Sequence, residues 1–408
     1  MADDFTILRY VSWRDICPWM ILAKVFRAAI AARVIALSFA ATLLMTGSWN
    51  FASTCCLNQD SLDDEQFAAF RSLVEGPASG TSITVDDMHQ VLQSPSLGTL
   101  RQMSPVTSCY VRLSAPFVNL FDRQTSLDRW CYLLVGGILS ALIWSFFGLA
   151  IARIAVVRIG RGEIISLTSA VGFAMRKWLS CFLSPMMPFV TILLLALPLM
   201  AAGVAMRSDV GTVFVGIFWI IVLIAGLFMT GLAIGLLFGW PLMWGAIATE
   251  SSDAFDAVSR SFSYTFSKPL HYLLYAMIGI ILGALGWIVV WFGTECVIQL
   301  SGWAVSIGTG EQRWDTLGNA MKDVASDVPA SRSIGVWLIG IANAAVRTIV
   351  ASFNFSFFWT FAVAMYLLLR MATDQTEFDE IYFADEDSSV SPLPQFETDA
   401  AGGPSSSS

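Results

Sequence analysis

The chain has 408 residues, of which 56% are hydrophobic and 13% charged, and its mean hydropathy is +0.67. Soluble globular domains are about a quarter charged, so this composition excludes an ordinary soluble domain and points to several membrane spans. The formal net charge of -8 is set by nine acidic residues after Arg370, a stretch without Lys or Arg; the remainder is nearly neutral and offers no basic face to nucleic acid.

Residues 1–29 read as a cytoplasmic N-terminal segment, with Arg9, Arg14, Lys24 and Arg27 ahead of Arg33 and Pro18 interrupting them. A first span is expected at about 30–51. Its apolar run, 34–49, lies too far from the start for a cleavable signal peptide and reads as a retained anchor. Residues 53–129 form the longest polar segment, expected as an outer loop with two small helices. Ser61 with Asp64 and Glu65, and Thr84 with Asp87, supply capped, acidic first turns.

The second span is expected at 130–157, with Arg153, Arg158 and Arg161 at its exit. A helical-period stripe follows: Leu167, Ala170, Val171, Ala174, Trp178, Leu179 and Phe182. Ser166 can cap it, Arg176 and Lys177 sit near its end, and Pro185 should terminate it. Such a helix beside membrane spans should lie in the interface. The third span is placed at 185–206, with an outer turn at 207–211.

Residues 210–249 carry no charge at all. A straight helix of that length is about 60 Å, twice a hydrocarbon core of about 30 Å. The run is either two spans or one span with a buried continuation. The charge bias favours one span, ending near Trp240 with Pro241 as a kink and Trp240 and Trp244 in the aromatic belt. A second surface helix at 252–267 carries Phe255, Val258, Phe262 and Phe266, acidic residues in its first turn, and an Asp256–Arg260 pair four apart. Pro269 opens a fifth span at 270–293. Residues 294–334 form a second outer loop. An interfacial stretch at 334–350 leads to a sixth span at 351–371, and residues 372–408 read as an acidic disordered tail.

The expected fold class is therefore all-α: a six-span helix bundle over residues 30–371 with amphipathic cytoplasmic surface helices. Thirteen Lys and Arg fall on 1–33, 153–177, 250–268 and Arg370, against nine on the outer segments. This bias places both termini on the cytoplasmic side of the cell membrane. Surface segment, proline, span, loop and returning span recur behind Pro18, Pro185 and Pro269, and the latter two units share Ala170-Val171 and Ala257-Val258. This is the pattern of a parallel internal repeat.

The run GWPLMWGAIATESSDAFDAVSRSFSYTFSKPLHYLLY at 239–275 resembles a family of uncharacterised bacterial multi-pass membrane proteins that share a GWPLMW, SDAFDAVSRS and P-HY signature. The resemblance covers under a tenth of the chain and implies architecture only.

Residues that could carry chemistry are few. His89 and His271 have no second His or Cys at metal-ligand spacing, and no HExxH, GxSxG or P-loop is present. No cofactor or metal is expected. Glu250, Asp253, Asp256, Arg260 and His271 gather within a short surface stretch as a candidate polar cluster, which caps and a solvated helix face also explain. Glu295 and Arg347 could pair, although no polar ladder leads from either. Cys109 could bridge to Cys55 or Cys56 in the outer loop if that compartment is oxidising. Gly231, Gly235 and Gly239 on span four and Gly279 and Gly283 on span five have the spacing that lets helix backbones approach, with Gly235 expected to face Gly279 or Gly283. The absence of a catalytic set favours a structural or assembly protein over a small-solute permease, an export subunit or a lipid-acting enzyme. Membrane lipid is the expected partner, and protein partners are not specified.

Overall fold

The computed structural model describes residues 18–57, 70–71, 103–121, 125–310, 313–314, 317 and 330–382. The helices expected near Ser61 and Thr84, His89, and the tail beyond residue 382 lie outside these residues. Among the described residues the fold is helical, without strands. A short 3-10 turn, Pro18–Ile21, leads into α1 (Leu22–Ala29) and α2 (Ala32–Cys56). Then come α3 (Pro105–Asn119), α4 (Leu127–Gly160), α5 (Leu167–Ala205), α6 (Asp209–Ile217) and α7 (Trp219–Glu250). The last three are α8 (Ala254–Ser267), α9 (Pro269–Thr309) and α10 (Ala330–Asp374). Six helices among them, α2, α4, α5, α7, α9 and α10, are long and apolar enough to cross a membrane. The protein is a polytopic membrane helix bundle.

The last helix of the described residues, α10, is the centre of the bundle. Every residue from 350 to 370 is buried, and α10 packs against α1, α2, α3, α4, α7 and α9. The stretch is mostly apolar and covered on every face, with Ser352, Asn354, Ser356, Thr360 and Arg370 as its buried polar members. From 334 to 349 the same helix buries no residue. The boundary between the expected interfacial stretch and span is thus a change of burial within one continuous helix. Aromatic rings set the contacts: Trp144 stacks on Phe355 at 4.2 Å and Trp244 on Trp359 at 4.0 Å.

Glycines of the surrounding helices receive these rings. Phe361, Phe357 and Phe353 recur every fourth residue on α10 and meet Gly279, Gly283 and Gly286 on α9. This corrects the expected glycine-to-glycine pairing of spans four and five. Gly235 and Gly239 lie under Phe262 and Ser261 of α8, and Gly231 has no neighbour within 4 Å of a built Cβ. The small face of each helix receives a large side chain from elsewhere instead of another small face.

Three prolines lie inside α5, so Pro185 does not end the surface helix. Proline removes the donor to the carbonyl four residues back, and Ser184 Oγ supplies one to the Cys181 carbonyl at 3.0 Å. This local rescue lets one helix run unbroken from surface segment to span. In the third unit the chain breaks instead, at Lys268 with φ -132° before Pro269. Ala170 and Ala257, which open the shared pairs, are both fully buried.

The charge-free run is divided only at Phe218, so α7 is a single long helix that continues past Pro241 to Glu250. Its terminus is marked by Ser251 in the left-handed region at φ 57°. Around Pro241 three consecutive carbonyls are taken by three other elements. Tyr110 Oη of α3 donates to Leu237 at 2.5 Å, Tyr272 Oη of α9 to Phe238 at 2.8 Å, and Ser261 Oγ of α8 to Gly239 at 2.6 Å.

Two further expectations change. Residues 105–119 are not part of a separate outer-loop unit: α3 packs against α4, α9 and α10 and buries Cys109 and Arg112. Residues 375–382 do not trail away as a disordered tail but lie against the end of the bundle, because arginines there need oxygen acceptors. Arg153 donates to the Tyr382 carbonyl at 2.6 Å, Arg161 to Asp379 at 3.0 Å and Ile381 at 3.2 Å, and Arg370 to Glu380 at 2.8 Å.

Candidate functional site

Of the polar cluster anticipated around Glu250, the structure joins Glu250, Asp256 and Arg260 and adds residues of α10. Glu250 ends α7, and the turn through Ser251 folds α8 back against it, so that Arg260 reaches Glu250 at 2.6 Å. The expected Asp256–Arg260 pair is present at 3.0 Å. From α10, Arg370 approaches Glu250 at 3.2 Å and Tyr366 Oη donates to it at 2.8 Å. One carboxylate therefore joins three helices. Tyr264 of α8 donates to Asp374 of α10, and Lys177 of α5 approaches Asp253 at 3.5 Å.

Tyr366, Arg370 and Asp374 stand four residues apart and so share one face of α10. Sequence reasoning used Arg370 only as a marker of sidedness and passed over Tyr264, Tyr366 and Asp374. The fourfold spacing was readable, but its partner on another helix was not. His271 is exposed at the start of α9, with its ring edge toward Tyr275. No hydrogen bond or ion pair joins it to Glu250, Asp253, Asp256 or Arg260, so the structure does not bring it into the cluster.

Electrostatics at this site favour the charged lock. Burial disfavours the Arg260 charge, yet Glu250 and Asp256 outweigh it and hold the guanidinium above its usual range. Burial, followed by the Asp374 carboxylate, pushes the Tyr264 hydroxyl up, so it remains a donor at neutral pH. Glu250 and Arg370 have side chains only 14% and 9% exposed, which makes their pairing compensate a real desolvation cost. The Glu250 oxygens are thus occupied by two guanidinium groups and a phenol. Among the described residues no three His, Cys, Asp or Glu side chains converge as metal ligands would.

A second feature lies deeper in the bundle. A half-open pocket of about 630 Å³ lies between α3, α4, α5 and α7, with Phe117, Trp144, Phe189, Met229, Trp240 and Trp244 among its walls. Its volume is within the usual range of small-ligand sites, about 300–1,000 Å³. The lining is almost wholly apolar. Ser140 Oγ and Trp244 Nε1, from two of the lining residues, have no hydrogen-bond partner among the described residues.

The remaining candidates are placed as follows. Arg347 pairs with Glu295 at 3.2 Å, joining the exposed parts of α9 and α10. Cys109 is buried in α3 and does not meet Cys55 or Cys56; the sulfur near Cys56 belongs to Cys131. No family model, curated protein or solved structure matches this chain.

Proposed function

We propose that the protein is a structural or assembly component of a bacterial cytoplasmic membrane, with both termini on the cytoplasmic side. The observation that carries this reading is the closure of the Glu250 cluster. Its carboxylate is engaged by Arg260, Arg370 and Tyr366 and ties α7, α8 and α10 together. A carboxylate committed in this way serves as a joint and is poorly placed to exchange a proton with substrate. The Lys and Arg bias supports the orientation, and the resemblance of residues 239–275 to bacterial multi-pass proteins supports the setting.

Membrane lipid is the partner this reading implies. The walls of the large pocket suit a hydrocarbon chain and offer little to a hydrated solute. That weighs against the permease alternative, while the closed cluster weighs against a lipid-acting enzyme.

Two measurements test the assignment. Reconstituted protein should pass small polar solutes no faster than protein-free vesicles; saturable uptake would move the protein to the permease class. Glu250→Gln should lower stability in detergent by about 2 kcal/mol, the scale of a hydrogen-bonded charge at a partly exposed site. An unchanged melting temperature would free Glu250 for chemistry and favour the enzyme.

A further inference from the structure

Cys56 is the last residue of α2, and Cys131 lies in the first turns of α4. Their sulfurs are 3.0 Å apart, one thiol donating to the other. A disulfide needs about 2.05 Å, so a shift of about 1 Å would complete the bond. The approach is not a chance meeting of loose ends. Just inside this point Trp49 of α2 covers Gly136 of α4, where any Cβ would meet its indole, and Trp49 lies 5.1 Å from the Tyr132 ring. This wedge fixes the register of the two helices and holds the thiols together. Cys131 is exposed and Cys56 half-buried, so a reagent can reach the pair, whereas Cys109 and Cys181 are buried.

We propose that Cys56 and Cys131 form a disulfide that pins the ends of α2 and α4, formed by exchange with a thiol–disulfide oxidoreductase. The Cys131 thiolate attacks the oxidised enzyme's disulfide, forming a mixed disulfide and releasing the enzyme's other sulfur as a thiolate. The Cys56 thiolate then attacks the Cys131 sulfur, forming the intramolecular bond and expelling the enzyme's second thiolate. Both thiol protons leave with the exchange, and two electrons reduce the enzyme's disulfide to a dithiol. Such bonds persist in oxidising compartments, so the proposal rests on the orientation proposed above, which puts this end of the bundle outside the cytoplasm.

The test begins with native membranes quenched with a permeant maleimide and analysed by peptide mass spectrometry without reduction. A linked peptide pair containing Cys56 and Cys131 is expected. It should persist in Cys55→Ser and vanish in Cys56→Ser, and Cys131→Ser should leave Cys56 open to the maleimide. Linkage through Cys55 would overturn the pairing. Complete maleimide labelling of both cysteines in the parent would overturn the bridge, whether or not an added oxidant can then join them. The orientation is read separately, through labelling of exposed Cys55 by an impermeant maleimide in intact cells. A missing bridge with Cys55 labelled from outside therefore refutes the disulfide alone. A missing bridge with Cys55 labelled only after permeabilisation refutes the orientation as well.

Discussion

Pro241 has no amide hydrogen, so the Leu237 carbonyl four residues earlier has no donor from within α7. Inside a bilayer such an oxygen must find another partner or bear a desolvation cost. Tyr110 of α3 supplies it at 2.5 Å, which turns a helix fault into a docking point. The two residues should therefore be energetically coupled. Tyr110→Phe should cost about 1–3 kcal/mol in the parent, where it leaves the acceptor unsatisfied. In a Pro241→Ala background the helix recovers its own donor, and the same change should cost clearly less. A double-mutant cycle on melting temperature in detergent measures this coupling. Equal costs in both backgrounds would show that Tyr110 anchors α3 by packing alone. The proline was visible in the sequence as a kink. The phenol that completes it was not, because 131 residues separate the two and only the tertiary fold brings them together.

At the scale of elements, periodicity identified the apolar helices well and their partners poorly. Composition and charge-free length located all six long apolar helices, and the one-span reading of residues 210–249 agrees with a single helix, α7. In α10, however, the most apolar stretch is only 11% buried and so falls on the exposed part expected as interfacial instead of on 351–371. Surface helix 252–267 was legible, yet its protein-facing side was not. Ala257, Ser261, Tyr264 and Thr265 are buried, while Phe255 and Phe266 of the expected stripe are exposed. Beside a membrane, large apolar side chains can face lipid, and small or hydrogen-bonding ones then make the protein contact. The glycines teach the same lesson. Their spacing announces a flat face but cannot say which side chain will fill it. Gly279→Ala should destabilise the bundle by about 1–3 kcal/mol, since the added Cβ would fall 2.1 Å from the Phe361 ring. Gly231→Ala has open space and should be neutral or stabilising, because alanine is the better helix former by about 1 kcal/mol. Similar melting temperatures for the two variants would mean that the α9–α10 contact is soft enough to absorb the methyl group.

Across the whole molecule, the end holding Glu250 is closed by residues distant in sequence. Arg153 of α4 lies 4.6 Å above the Phe173 ring of α5 and donates to Ala248 of α7 and to Tyr382 beyond α10. Tyr382 returns a main-chain hydrogen bond to Thr249 at 3.0 Å, and Gly160 sits directly against the Phe378 carbonyl, where a Cβ would not fit. The acidic composition after Arg370 suggested a solvated tail, but the arginines hold its first residues mainly through main-chain carbonyls, which composition does not reveal. Truncation separates the two descriptions. A chain ending after Tyr382 keeps every bond described here and should melt with the parent. A chain ending after Asp374 removes the acceptors of Arg161 on Asp379 and Ile381, and those of Arg153 and Arg370 on Tyr382 and Glu380. Charged donors that lose some of their acceptors at a largely buried end cost more than exposed ones, so a loss on the order of 2–4 kcal/mol is expected. The loss should appear in melting temperature and in faster proteolysis near the α7–α8 turn, because Ala248 and Thr249 share the same network. If the chain ending at Asp374 melted like the parent, the strap would be a passive covering, and the bundle would be closed by the Glu250 cluster without it.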